Sequence, residues 1–133
     1  LASSNVDLVK RIREDLSIWN INSFAEFYMQ IYNKYDLDYK HACKLFIKER
    51  ARFYSDLTQI EFLRVIPSQA NYFLCEVLDE YSSKQLTELL LTKYNILIKD
   101  CSEKKSFKGE NYIRIAVRST IDNQALVKAL KEL

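Results

Sequence analysis

Apolar residues recur at helical spacing as far as Leu57 and then switch to short alternating runs. Val6, Val9, Ile12 and Leu16 predict a first helix from about Val6 to Leu16, with Asn5 placed to cap it. Ser17 to Ile21 reads as a break. Asn22 or Ser23 then caps a second helix to about Tyr35, with Phe24, Phe27, Tyr28, Ile31 and Tyr32 on one side; Glu26, three residues after Ser23, has capping-box spacing. Asp36-Leu37-Asp38 reads as another short break. A long third helix follows to Leu57, with Ala42, Leu45, Phe46, Phe53 and Leu57 as its apolar stripe and Lys44, Lys48, Glu49 and Arg50 outside.

The later runs read as strands. They are Phe62 to Ile66, Asn71 to Val77, Ile96 to Lys99 and Tyr112 to Ser119. A helix capped by Ser82 or Ser83 and running to Lys93 lies between the second and third, with Leu86, Leu89 and Leu90 inward. A last helix carries Leu126, Val127 and Leu130. The order α-α-α-β-β-α-β-β-α predicts an α+β fold, with helices packed on one side of a small, largely antiparallel sheet. We expect one domain over residues 1–133, mainly helical over 1–58 and α+β over 59–133.

Composition narrows the class. A chain of 133 residues that is 48% hydrophobic and 29% charged can bury a core. Its net charge of +2 gives no footprint for nucleic acid, and no run is long and apolar enough to span a membrane. There is no signal-peptide pattern at the start. Cys43, Cys75 and Cys101 form no C-x-x-C pair, which suits a reduced, cytoplasmic setting. Cys43 and Cys75 sit in apolar patterns and read as core thiols, whereas Cys101, in a polar loop, reads as exposed. His41 has no partner at metal-site spacing. Glu49, Glu61, Asp79, Glu80 and Glu88 read as solvated charges, so no acid–base pair or nucleophile–base set emerges.

Chemistry concentrates in Asn111-Tyr112-Ile113-Arg114-Ile115-Ala116-Val117-Arg118-Ser119. Ile113, Ile115 and Val117 point one way. Tyr112, Arg114, Ala116 and Arg118 point the other, which would set the two arginines roughly 13 Å apart at about 3.3 Å per residue. A planar, permanently charged guanidinium grips carboxylate or phosphate bidentately. The alternative is that both arginines simply coat a solvated sheet face.

The neighbouring motifs favour the first reading. In order, the chain carries Ile18-Trp19-Asn20-Ile21-Asn22, Pro67-Ser68-Gln69-Ala70-Asn71-Tyr72-Phe73, Ile96-Leu97-Ile98-Lys99-Asp100 and Tyr112-Ile113-Arg114-Ile115-Ala116-Val117. Nearly its whole length resembles the C-terminal small domain of fold-type I pyridoxal-phosphate enzymes of aminotransferase class I/II. Within them it is similar to the histidinol-phosphate aminotransferase and threonine-phosphate decarboxylase group. The resemblance implies that Arg114 clamps the substrate's α-carboxylate and that Arg118, when not a plain surface residue, serves a phosphate. It places Trp19 and Asn20 at the mouth of the active site, where backbone capping explains the asparagines equally well. Asn71 reads as a residue bonding backbone at the start of its strand.

The family's lysine segment is not matched by Ser82-Ser83-Lys84 or Lys108-Gly109. With one glycine, Gly109, one proline, Pro67, and Leu1 at its head, the chain is expected to be a fragment of a longer enzyme. Pyridoxal 5'-phosphate would then bind the full-length protein through a large domain of the same chain, and this part alone would be inactive. The expected activity is transamination of an amino acid or amine, phosphorylated ones included, in a homodimer. Decarboxylation of an amino-acid phosphate is the alternative. A non-catalytic binding module, built on the aromatic second helix or on Arg114 as a receptor for a free amino acid, is the reading from another class.

Overall fold

The computed structural model describes residues 4–15, 21–78, 81–104 and 111–133. The order is α1 (Val6–Asp15), α2 (Ser23–Ile31), a 3-10 turn (Tyr32–Tyr35), α3 (Asp36–Leu57), β1 (Leu63–Ile66), β2 (Tyr72–Val77), α4 (Ser83–Tyr94), β3 (Lys99–Asp100), β4 (Tyr112–Ala116) and α5 (Thr120–Lys131). The chain falls into two compact units, Leu1–His41 and Ala42–Leu133. No described helix is long and apolar enough to cross a membrane.

In the first unit asparagine side chains close the helix starts. Asn5 Oδ1 accepts the Leu8 N–H at 3.0 Å, and Asn22 Oδ1, not Ser23, accepts the Ala25 N–H at 2.9 Å. The expected break at Asp36-Leu37-Asp38 is absent. The 3-10 turn runs directly into α3, and Asp36 enters as a helical residue whose carboxylate pairs with Lys40 one turn on at 2.6 Å. The aromatic side of α2 is uncovered: Phe24 is 85% exposed, and Phe27 and Tyr28 are also exposed.

The second unit is a four-stranded sheet in the order β1-β2-β4-β3, with every neighbour antiparallel. Alternation sends Leu63, Val65, Phe73, Cys75, Val77, Ile113 and Ile115 to one face. There they share a single core with Phe53 and Leu57 of α3, Leu86 and Leu90 of α4, and Leu126, Val127 and Leu130 of α5. Within this unit α3, α4 and α5 all pack on that face. Ser82 caps α4 in a reciprocal box with Gln85, and the Ser119 hydroxyl accepts the Asp122 N–H at 3.2 Å to cap α5.

The third strand is shorter and later than Ile96 to Lys99. Asn95 closes α4 in a left-handed conformation (φ 56°), and the Ile96 N–H bonds the Leu90 carbonyl at 3.0 Å. Those residues finish the helix, so pairing begins only at Lys99. The polar-loop expectation for Cys101 also fails. Its N–H bonds the Tyr112 carbonyl at 2.9 Å, which carries the ladder one residue past β3 and leaves Cys101 only 2% exposed.

Candidate functional site

The sheet face opposite the core holds the polar positions. Register sets Arg64, Glu76 and Tyr112 in one row and Ile66, Leu74, Arg114 and Lys99 in the next. Tyr72 and Ala116 form a third. Arg114 is thus mid-sheet, exposed, and fixed by strands on both sides. Its guanidinium lies over the Tyr72 ring, 5.2 Å from the centroid. Among the described residues no carboxylate is within ion-pair distance of Arg114. Arg64, on the same face, is paired with Glu76.

Lys99 sits directly across from Arg114 on β3, a relation the sequence alone did not disclose. Side chains opposite each other on one sheet face lie about 5 Å apart at Cβ. Two cations therefore stand side by side. They help line a cleft of about 470 Å³ with Thr87, Leu97, Asp100 and Ala116. Burial pushes the Asp100 carboxyl up, but the Ser102 N–H and hydroxyl, bonded at 3.0 and 2.8 Å, outweigh it and hold it below its ordinary value.

Arg118 is placed differently from the expectation. β4 ends at Ala116, so the two arginines do not share one strand. Arg118 Nε donates to Asp122 Oδ2 at 3.1 Å, and its backbone N–H and carbonyl bond the Asn123 side chain at 2.9 and 3.0 Å. Trp19 and Asn20 lie outside the described residues, as do Asp79, Glu80 and Gly109. The Asn71 main-chain carbonyl accepts the Val117 N–H at 2.9 Å. The Gln69–Ala70 carbonyls just before it are held by Arg50.

Glu49 is not a solvated charge. Its carboxylate accepts from Arg52 at 2.7 and 3.2 Å, from Thr120 Oγ1 at 2.7 Å and from Asn123 Nδ2 at 2.8 Å. The Arg52 bonds, opposed by burial and joined by those from Asn123 and Thr120, bring its pKa down to about 2. Burial pushes the Cys75 thiol up to about 12.

The sequence profile of the family described as "Aminotransferase class I and II" matches residues 5–133. Over 127 residues the chain is 31% identical to an L-serine phosphate decarboxylase of Campylobacter jejuni, covering 93% of this chain and 32% of that protein. A solved decarboxylase from Sulfurospirillum multivorans shares its fold with a TM-score of 0.83 at 30% identity, over 95% of this chain and 36% of that one. The histidinol-phosphate aminotransferase from Clostridium acetobutylicum gives 0.77 at 32% identity, over 95% and 37%. The chain spans about a third or less of the length of the first curated relatives it matches. The motifs around Arg114, the antiparallel sheet and these matches agree: the chain belongs to the class I and II aminotransferase family of pyridoxal-phosphate-dependent enzymes and corresponds to a fraction of the length of its members.

Proposed function

We propose that this chain is the C-terminal small domain of a pyridoxal-phosphate-dependent aminotransferase, and that it grips the α-carboxylate of an amino-acid substrate through Arg114. The observation that carries the reading is the state of Arg114. It projects from the middle of a paired strand, on the face opposite the core, and no described carboxylate neutralises it. A strand-borne guanidinium with no ion-pair partner among the described residues presents a ready two-pronged donor to a carboxylate, and a substrate so fixed has one of its Cα bonds held in a set direction. Lys99 opposite adds a second positive charge, suited to a substrate with another anionic group such as a phosphate. Arg118 is a further candidate for that anion, at the expense of its bond to Asp122.

The described residues do not themselves fit the cofactor. At the starts of α2, α4 and α5 the side chains of Asn22, Ser82 and Ser119 already take one first-turn N–H each. Asp100 and Asp122 are engaged by Ser102 and Arg118. In this reading a large domain of the same chain holds the cofactor. The enzyme works as a homodimer in the cytoplasm.

Decarboxylation of an amino-acid phosphate is the second reading. It is favoured by the similarity to an L-serine phosphate decarboxylase and to a decarboxylase structure. The complete protein encoded by the gene that carries this sequence, supplied with pyridoxal phosphate, should be given L-serine O-phosphate with and without a 2-oxo acid acceptor. Amino transfer to the acceptor supports the first reading. Carbon dioxide release without acceptor supports the second. Neither product, across a panel of phosphorylated and plain amino acids, would contradict both.

A further inference from the structure

We propose that Tyr72 is a positioning residue that holds the Arg114 guanidinium ready for a carboxylate, and that Ala116 makes room for it to do so; this rests on the reading of Arg114 above. The other described arginines with ion-pair partners each engage them through N–H donors: Arg64 with Glu76, Arg52 with Glu49, and Arg118 with Asp122. Arg114 is held in another way. Its central carbon lies over the Tyr72 ring at 5.2 Å. The ring attracts the delocalised charge of the group as a whole rather than accepting from a set N–H pair, so the contact does not commit the bidentate donors. Tyr72 thus restrains the side chain while leaving its bidentate edge open to a ligand.

Register explains why the ring can reach. Leu74, not Tyr72, is directly opposite Arg114, and Ala116 is opposite Tyr72. Tyr72 is therefore the diagonal neighbour of Arg114, a distance that aromatic side chains span. A methyl group at 116 fills little of the space between Tyr72 and Arg114. The backbone beneath Tyr72 is fixed from both ends. Arg50 holds the Gln69 and Ala70 carbonyls, and the Asn71 carbonyl takes the Val117 N–H at 2.9 Å.

The test is equilibrium binding by calorimetry on the complete cofactor-loaded protein. The two probes are L-serine O-phosphate and O-phosphoethanolamine, which differ only in the carboxylate. Tyr72→Phe keeps the stack and should bind both probes as the unsubstituted protein does. Tyr72→Leu should weaken L-serine O-phosphate about two- to fivefold and leave O-phosphoethanolamine unchanged. Ala116→Val, which crowds the ring without altering it, should show the same selective loss and decides the matter when Tyr72→Leu fails to fold. Arg114→Gln is the reference, with a loss of roughly tenfold or more for L-serine O-phosphate alone. Should Arg114→Gln show that loss while Tyr72→Leu binds normally, or weakens both probes equally, Tyr72 has no positioning role. Should Arg114→Gln bind normally, or the unsubstituted protein not bind L-serine O-phosphate, the carboxylate grip fails and takes this inference with it.

Discussion

Asn123 donates its Nδ2 to Glu49 Oε1 at 2.8 Å, joining α3 to the start of α5 across 74 positions of sequence. The same amide takes the Arg118 N–H on its oxygen and gives a hydrogen bond to the Arg118 carbonyl. A neighbouring strand would pair with Arg118 in the same way. Asn123 therefore takes the place of a paired strand beside Arg118, beyond the residue where β3 begins, at 2% exposure and with its bonding capacity largely met.

Acid should loosen this junction. The folded Glu49 pKa, about 2, lies below the ordinary value of 4.5. A depressed carboxylate contributes stability that is fully present above pH 4.5 and is lost as pH falls from there toward 2. Glu49→Gln removes the charge-assisted bonds and should lower stability at pH 7 by about 2 kcal/mol. Urea unfolding at several pH values checks this. The difference between the two proteins should shrink on acidification, and a difference constant down to pH 2.5 would contradict the assignment.

The close of α4 gives a backbone prediction. Asn95 is held at φ 56°, where a β-branched side chain clashes. Asn95→Gly should be near neutral, and Asn95→Val should destabilise by about 1–2 kcal/mol. Thermal melting of the two variants distinguishes them, and equal melting temperatures would sink the argument.

Thiol reactivity should separate the three cysteines. Cys75 and Cys101 are buried, and Cys43 is half-buried on α3. With a thiol reagent at pH 8 the native protein should label at Cys43 first. Cys75 and Cys101 should follow only at the rate of unfolding. Rapid native labelling of Cys101 would contradict its place beside β4.

Lys99 should matter for doubly anionic ligands. Like charges directly opposite on a sheet repel by about 0.2–1 kcal/mol, so Lys99→Gln should not lower the melting temperature. It should weaken L-serine O-phosphate binding by about three- to tenfold and L-alanine binding less, with a shallower salt dependence. Equal effects on the two ligands would remove Lys99 from the site.

Local rules made much of the fold legible. Alternation in Asn71 to Val77 and Tyr112 to Ser119 identified the inner strands and their buried faces, and Asn22 and Ser82 were each one of two candidates for a helix start. Where two local signals competed, the reading slipped. Ile96-Leu97-Ile98 is strand-like in composition, but closing α4 takes its first residue. Asp36 has the chemistry of a cap, yet the turn before it continues as helix. The site divides along the same line. Arg114 stood out as a candidate on its strand, and the family resemblance, not the strand, supplied its expected role. Tyr72 beneath it, Lys99 beside it and the Glu49–Asn123 bond depend on register and tertiary packing between distant segments, which no local spacing encodes.

The central claim is that Arg114 takes the carboxylate. The most direct measurement is the ratio of affinities for L-serine O-phosphate and O-phosphoethanolamine in the complete cofactor-loaded protein and in its Arg114→Gln variant. A bidentate guanidinium–carboxylate grip contributes about 1.5–3 kcal/mol, so the ratio should fall by roughly ten- to two-hundredfold, with the amine's affinity unchanged. A ratio that survives the substitution would show that the carboxylate is held elsewhere and that Arg114 only coats the sheet.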